Sequence, residues 1–557
     1  MTILDDPVDV VIVGLGATGS VAAHVLTAAG VRVLALEAGP RLTAEMMSND
    51  EIRNDVDGWM SAPKAASEVP TLRLDPADEA HPSWWPTLMV NGVGGTTIHY
   101  PAASFRLLPW NFRSRSAVEE RYGEEVIPDD STLADWPLSY AELEPFYDRV
   151  ERAIGVSGST GADPFAGPRT NPYPMPPLRR SGWNTLTEDA ARRLGWHPYP
   201  TPAAINSRPY SGRPACTYCG YCTGSGCHVA AKGSPDVNLI PVAEATGLLD
   251  VRTSARVTRL EVDPLRPDRV SGVRYVVDGQ ERMATARVVV LSTFTYENVR
   301  LLLLSASAQH PRGLANGTGQ VGAHFIPHVT PSVLGLFPGR RLNLFTGTWG
   351  QSTVVDDWNG DNFDHSGLGF IGGGALIAAN EVHPIALSAQ VPPTVPRWGS
   401  RWKRWVAENA QAIGSAVAQF ESLPYRENRL DLDPSAVDAY GVPRVRITYR
   451  AGENERRGAA FMRARMREWL QAAGAHETWT NDEIHVEGRH VYGGTRIGRD
   501  PKTSPLDPRG FAHDVPNLTV LGGSTFVSSG GHNPTLTAQA LAWRTAEEIL
   551  ARLPAFA

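Results

Sequence analysis

The 557 residues contain no apolar run long enough to cross a bilayer. The richest stretches, Val288 to Leu291 and Leu301 to Leu304, are interrupted well short of the roughly 18 to 20 residues a span needs. A basic excess is missing too: 52 Lys and Arg stand against 59 Asp and Glu, a formal charge of -7, which argues against a nucleic acid partner. The first residues carry Asp5 and Asp6 and run straight into an apolar strand, without the basic start and cleavage site of a signal peptide. The chain is therefore expected to have no signal peptide of its own. Internal repeats and low-complexity tracts are absent, and cysteine is scarce: four residues, all between 216 and 227.

What is present is the profile of a globular protein, 42% hydrophobic and 20% charged. A chain of this length exceeds one ordinary core, so two domains or one elaborated domain are expected. Gly and Pro, 53 and 44 in number, spread along the whole chain and point to many turns and structured loops.

DVVIVG, a Gly-rich turn, the helix-like VAAHVLTAAG and RVLALEAG read as a βαβ unit over residues 9 to 39. Residues 110 to 215 are rich in Pro, Trp and Tyr, with one helix-like piece from Ala141 to Ile154. Between Val251 and Val290, three β-rich runs separated by turn residues suggest a meander that ends in a buried strand. Further strand-like runs and a helical piece, Glu453 to Ala473, fill 312 to 480. NLTVLGG then returns to buried-strand character, with a helix expected from Pro534 onward. Such a return implies an α/β fold whose nucleotide-binding domain is discontinuous in sequence.

Gly14, Gly16 and Gly19 form G-L-G-A-T-G between that first strand and its helix, the context in which this pattern signals a dinucleotide site. Gly14 permits the tight turn, Gly16 lets backbone approach pyrophosphate, and Gly19 lets helix pack on strand. Glu37, at the end of the second strand, is placed to accept hydrogen bonds from ribose hydroxyls. FAD and NAD both fit this fingerprint.

HVYGGTRIG (His490 to Gly498) and NLTVLGGSTFVSSGGHNPTLTAQALAWRTA (Asn517 to Ala546), with NGVGGTTIHY, VVVLSTFTYENVRLLLLS and SLPYRENRLDLD earlier, resemble the glucose-methanol-choline oxidoreductases over most of the chain. The resemblance implies a Rossmann-like FAD-binding domain with a sheet-based substrate-binding domain. Its boundaries are expected at 1–110, 236–311 and 481–557 for the FAD-binding parts, 111–215 for a cap or subunit-contact region, 216–235 for a cysteine loop and 312–480 for the substrate domain. Within the family the motifs are most similar to the large subunits of bacterial gluconate, fructose and sorbitol dehydrogenases and glucoside 3-dehydrogenases, and more distantly to pyranose oxidase. One departure stands out: Ser292, Thr293 and Phe294 occupy a place where the family often has an Ala-Gly pair.

The resemblance further implies cofactor contacts at Gly94, Gly95, Thr96, His99, Val257, Gly523, Pro534 and Thr535. His99 stands where pyranose oxidase attaches its flavin, so a covalent histidyl-FAD and a merely packing histidine are both open. Removing hydride from an alcohol carbon requires a base near neutrality for the hydroxyl proton. The resemblance gives that role to His490, through the spacing H-x-x-G-x-x-R-x-G, and makes Asn533 the hydrogen-bond partner of the developing alkoxide. His532 is the alternative base. His324, His328 and His513 lie in no comparable motif and are expected to be structural.

Cys216, Cys219, Cys222 and Cys227 are spaced C-x2-C-x2-C-x4-C among flexible glycines. The first three reproduce the gaps of bacterial ferredoxin loops. An iron-sulfur cluster, a zinc site and disulfides or free thiols are the competing readings. Resemblance to the dehydrogenase large subunits implies a 3Fe-4S centre, and four ligands also fit 4Fe-4S. The function expected is an FAD-dependent dehydrogenase of a sugar, glycoside, polyol or sugar acid. It would work with a small subunit and a cytochrome c-type acceptor, in the cytoplasm or co-exported to the periplasm. A sugar oxidase producing hydrogen peroxide is the alternative.

Overall fold

A computed structural model describes residues 3–83, 89–480 and 488–556. The run DVVIVG forms the strand Val8–Val13, whose last four residues are buried, as a strand covered on both faces requires. The helix Ala17–Ala28 then crosses over to the parallel strand Val33–Leu36, Val10 lying opposite Val33. Leu249–Arg252 extends the sheet on that side. On the other side lies Gln280–Leu291, a strand with two characters. Its first half is largely exposed or half-buried and its last four residues are buried. The first half pairs antiparallel with Arg266–Val277 in a meander with Arg256–Asp263. The second half runs parallel to Val8–Val13 and to Leu518–Val520. The parallel layer thus collects strands from distant parts of the chain, and the expected discontinuous α/β fold is what forms.

A second, antiparallel sheet has the order Glu477–Trp479, Ser332–Leu336, Ile413–Phe420, Gly374–Ala378, Thr353–Val355 and Pro198–Pro200. The helix Glu453–Ala472 covers it with Met462, Met466 and Trp469, all buried at helical spacing. These side chains share one core with Val333, Ala418 and Phe420 of the sheet. Truncating one such buried methionine to alanine costs about 2 to 5 kcal/mol. Within 111–215 the helix Tyr140–Ile154 starts at Ser139, whose hydroxyl accepts from the Glu142 amide, and stops at the left-handed Gly155. The strand Pro198–Pro200, which joins the second sheet, lies in the same stretch.

Two short features bring the sheets' contributions together. Val491–Tyr492 pairs antiparallel with Ile326–Pro327, and the helix Thr535–Arg552 begins directly after Pro534. That helix lies along Ala17–Ala28, with Gln539 Nε2 3.5 Å from the Ala17 carbonyl. Among the described residues no helix is long and apolar enough to cross a membrane.

Candidate active site and cofactor cradle

The Gly-rich turn is built as its sequence requires. Gly14 has φ +88° and a Cβ there would stand 2.8 Å from the Ser292 carbonyl oxygen, so only glycine fits. At Gly16 a Cβ would meet only Gly95 Cα, at 3.7 Å. The turn is therefore open on its outer side, where no side chain caps the N-terminus of Ala17–Ala28. An uncapped, positive helix end behind a glycine turn suits a pyrophosphate.

Gly94 and Gly95 close over this turn, the Gly94 amide donating to the Leu15 carbonyl at 2.9 Å. Glu37 is buried and accepts from the Leu15 and Gly39 amides, each at 3.0 Å. Burial raises its pKa, and the Leu15, Gly39 and Gly92 amides partly offset that. A carboxylate has about four lone-pair sites, so with three amides on it one remains for a ligand hydroxyl. Val257 follows close by, since the Ala255 amide donates to the Glu37 carbonyl. The residues present therefore fit a dinucleotide. Thr96 lies in the short turn Gly95–Ile98, and the His99 carbonyl accepts from the Gly224 amide at 2.9 Å, which ties this segment to the cysteine loop.

Asn533 and His490 meet at the junction of the two sheets. Asn533 Nδ2 lies 3.3 Å from His490 Nε2. On the other side of the ring, His490 Nδ1 lies 3.0 Å from Gln419 Oε1 and 3.2 Å from His328 Nδ1. His328 in turn reaches the Gly530 carbonyl through Nε2 at 2.8 Å. A carbonyl only accepts, so His328 carries its proton on Nε2 and offers Nδ1 as an acceptor. His490 then donates from Nδ1, and its Nε2 lone pair faces Asn533. This arrangement can take a proton at Nε2 while Asn533 holds an adjacent oxygen. Pro534 and Thr535 open the following helix, and Gly523 sits against the Val491 carbonyl, so both ends of the pair are fixed by backbone.

His532, next in sequence to Asn533, points elsewhere. Its Nε2 lies 2.9 and 3.0 Å from the carboxylate oxygens of Asp356, and its ring stacks on Phe105 with centroids 4.7 Å apart. Burial alone would raise the pKa of Asp356, but the His532 ring and hydrogen bonds from His532, Tyr199 and Asn359 bring it below the usual value. His324 is held by Thr132 and Gln320, at 2.8 Å each, away from this pair, and His513 lies beside Ser504.

The cysteine loop is gripped from both sides by buried charges. Glu381 accepts from the Cys222, Thr223 and Trp349 amides. Lys232, fully buried, donates to the carbonyls of Tyr100, Cys222 and Ser225 at 3.0, 2.8 and 2.8 Å, which uses all three of its hydrogens. All four thiols are free. Burial pushes Cys216 up to about 12 and raises Cys219 and Cys222 as well. Among the described residues no three of the sulfurs gather within 4.8 Å of one another. A zinc tetrathiolate, with Zn–S near 2.3 Å, holds its sulfurs about 3.8 Å apart.

Gln419, His328, Lys232 and Glu381 carried no motif in the sequence. In the strand Ile413–Phe420 the alternation places Gln419 on the face of Ser415 and Val417, opposite the core residues Ala416, Ala418 and Phe420, so in sequence it read as an ordinary polar position.

The C-terminal stretch 424–542 matches the family model described as GMC oxidoreductase. Over 97% of this chain and 93% of the relative, the sequence is 35% identical to a gluconate 2-dehydrogenase flavoprotein of Pantoea cypripedii. It is 30% identical to the fructose dehydrogenase large subunit of Gluconobacter japonicus, over 97% of each chain. In fold it is similar to pyridoxine 4-oxidase from Mesorbium loti, with a TM-score of 0.61 and 17% identity over 98% of this chain and 99% of that one. With whole-length relatives at this identity, the glycine cradle and the C-terminal motif have one explanation: the chain belongs to the GMC oxidoreductases and is an FAD-dependent oxidoreductase acting on CH–OH donors.

Proposed function

We propose that the chain is a dehydrogenase of a sugar, glycoside, polyol or sugar acid, with His490 as base and Asn533 as alkoxide partner. The observation that carries this reading is the 3.3 Å contact of Asn533 Nδ2 with His490 Nε2, on a ring whose other nitrogen is held by Gln419. The substrate class is supported by the names of the relatives, which act on gluconate and fructose. FAD, when bound in the cradle of Gly14, Gly16, Gly19, Gly94 and Gly95, supplies the hydride acceptor. An alcohol carbon that loses hydride leaves an oxygen that must shed its proton. His490 Nε2 takes that proton, and the Asn533 amide donates a hydrogen bond to the same oxygen as negative charge develops on it. Charge forms where the donor is already placed, so little reorganisation is needed.

Cys216, Cys219, Cys222 and Cys227 are proposed to hold an iron-sulfur cluster, which would pass electrons singly to a protein acceptor. Two observations support it: the C-x2-C-x2-C-x4-C spacing of the four cysteines and the direct hydrogen bond between the loop and the His99 segment. His99 is proposed to sit at the flavin ring, and acid denaturation distinguishes attachment from packing by whether colour stays with the precipitated protein.

The test is anaerobic mixing with gluconate, fructose, sorbitol and methyl glucoside while the flavin absorbance is followed, with iron and acid-labile sulfide measured on the same preparation. Bleaching by at least one compound, with slow peroxide formation in air, is expected. Bleaching by none of them, or stoichiometric peroxide with no iron, would sink the dehydrogenase reading. A Cys219→Ser variant should lose iron yet keep flavin reduction.

A further inference from the structure

Beside the cysteine loop lies a groove of about 690 Å³. One wall is the loop itself: Tyr218, between Cys216 and Cys219, lines it together with Gly347. The Gly347 amide donates to the Tyr218 carbonyl at 3.0 Å, and Cys219 bridges to Gly347 in parallel. The groove is also lined by Arg179, Arg340 and Arg341, all exposed. No aspartate or glutamate lines the groove, and among the described residues none of these guanidiniums is paired with a carboxylate. Arg179 instead leans toward the Tyr218 ring, 5.9 Å from its centroid, and its amide donates to the Tyr218 hydroxyl at 3.1 Å.

A local charge of three positives is notable on a protein whose net charge is -7. Arginines that serve only solubility are normally interspersed with acids. Three together, unpaired, in a concave site beside thiols create a positive potential that steers an anionic surface toward that site. His490 and Asn533 do not line this groove, so it is separate from where the alcohol binds.

We propose that this groove is the docking surface for a one-electron acceptor protein that presents an acidic face. The inference rests on the reading of the cysteine loop as the electron exit. One alcohol oxidised releases two electrons and two protons, so two acceptor molecules dock in turn and each leaves reduced by one electron. Arg179, Arg340 and Arg341 supply orientation and encounter rate, while Tyr218 and Gly347 form the wall that brings the acceptor against the cysteines.

The experiment uses the holoenzyme and two oxidised probes, an acidic bacterial cytochrome c and a basic mitochondrial-type cytochrome c, with neutral benzoquinone as a small acceptor. Stopped-flow reduction of each by substrate-reduced enzyme is compared between wild type and the combined Arg179→Gln, Arg340→Gln, Arg341→Gln variant, across ionic strength. Binding of the acidic cytochrome to fully oxidised enzyme is measured separately by titration calorimetry. Wild type should reduce the acidic cytochrome at least about 10-fold faster than the basic one at low salt, an advantage that fades as salt screens the charges. The triple variant should lose that advantage and the binding, while flavin bleaching by substrate and benzoquinone turnover stay unchanged. Equal rates with both cytochromes, or a triple variant as fast as wild type, would overturn the docking surface alone. An enzyme without iron that reduces neither cytochrome would overturn it together with the reading of the cysteine loop.

Discussion

Gln419 Oε1 lies 3.0 Å from Nδ1 of His490, and this contact decides which nitrogen of the ring carries the proton. The amide oxygen can only accept, and His328 Nδ1, 3.2 Å away, is also an acceptor because His328 spends its own proton on the Gly530 carbonyl. Two acceptors on one side leave Nε2 as the lone pair toward Asn533. Gln419 belongs to the second sheet and Asn533 directly precedes the C-terminal helix, so the proposed base is oriented only when both halves of the fold are packed.

Replacing Gln419 tests this orientation. Gln419→Leu removes one acceptor from Nδ1, and about a 10-fold slower flavin reduction is expected, the scale of one lost hydrogen bond. Gln419→Glu places a carboxylate beside the ring and stabilises its charged form. The protonated, inactive imidazole then persists to higher pH, so the acid limb of the rate profile should move upward. A pH profile of flavin bleaching reads both variants, and an unshifted limb in Gln419→Glu would remove Gln419 from the proposed role.

The neighbouring histidines separate chemistry from stability. His490→Ala should slow flavin reduction roughly 10² to 10⁴-fold, the range for loss of a general base. Asn533→Ala should cost about 10 to 100-fold, for one hydrogen bond to a charged oxygen. His532→Ala removes the 2.9 Å hydrogen-bond partner of the buried Asp356 carboxylate, a loss of about 1 to 3 kcal/mol. Its effect should fall on the unfolding temperature and much less on bleaching. Rapid mixing and thermal melts of the three variants check this, and a large rate loss confined to His532→Ala would exchange the two assignments.

Local pattern and motif made much of this legible. The βαβ unit, the long helices and the strand Leu518–Val520 each announce themselves through periodicity or a continuous apolar run. His490 and Asn533 were reachable because each sits in a contiguous motif. Gln419 and His328 were not, because their contacts with His490 arise only when strands from different parts of the chain come together. Lys232 and Glu381 were hidden for a different reason: single charged residues look like surface in a sequence. Only the fold reveals that Lys232 donates to the Cys222 and Ser225 carbonyls and that Glu381 accepts from the Cys222 and Thr223 amides.

The Gly-rich turn offers a substitution that spares the protein and not the cofactor. A Cβ at Gly16 would be 3.7 Å from Gly95 Cα, an ordinary contact, yet it would project into the space proposed for pyrophosphate. Gly16→Ala should therefore fold normally and purify largely colourless. Flavin content per protein and the melting temperature of the apoprotein are the two measurements. Full flavin occupancy in this variant would move the cofactor elsewhere.

Glu421 gives a pH dependence with a definite sign. It is 1% exposed, and among the described residues no hydrogen bond of ordinary geometry reaches either oxygen. Burial pushes its carboxyl up to about 8, with the Gly530 amide only partly opposing this. In the unfolded chain the same group ionises near 4.5. Between these values the unfolded state has lost a proton that the folded state keeps, so stability falls as pH rises from about 4.5 to 8 and levels off above. Each unit in that window is worth at most about 1.4 kcal/mol, a few kcal/mol in all. Glu421→Gln keeps the shape and stays neutral. Its unfolding midpoint in denaturant should match wild type near pH 4.5 and exceed it increasingly toward pH 8. Parallel curves for the two proteins across this range would show that the buried carboxyl is already ionised in the fold.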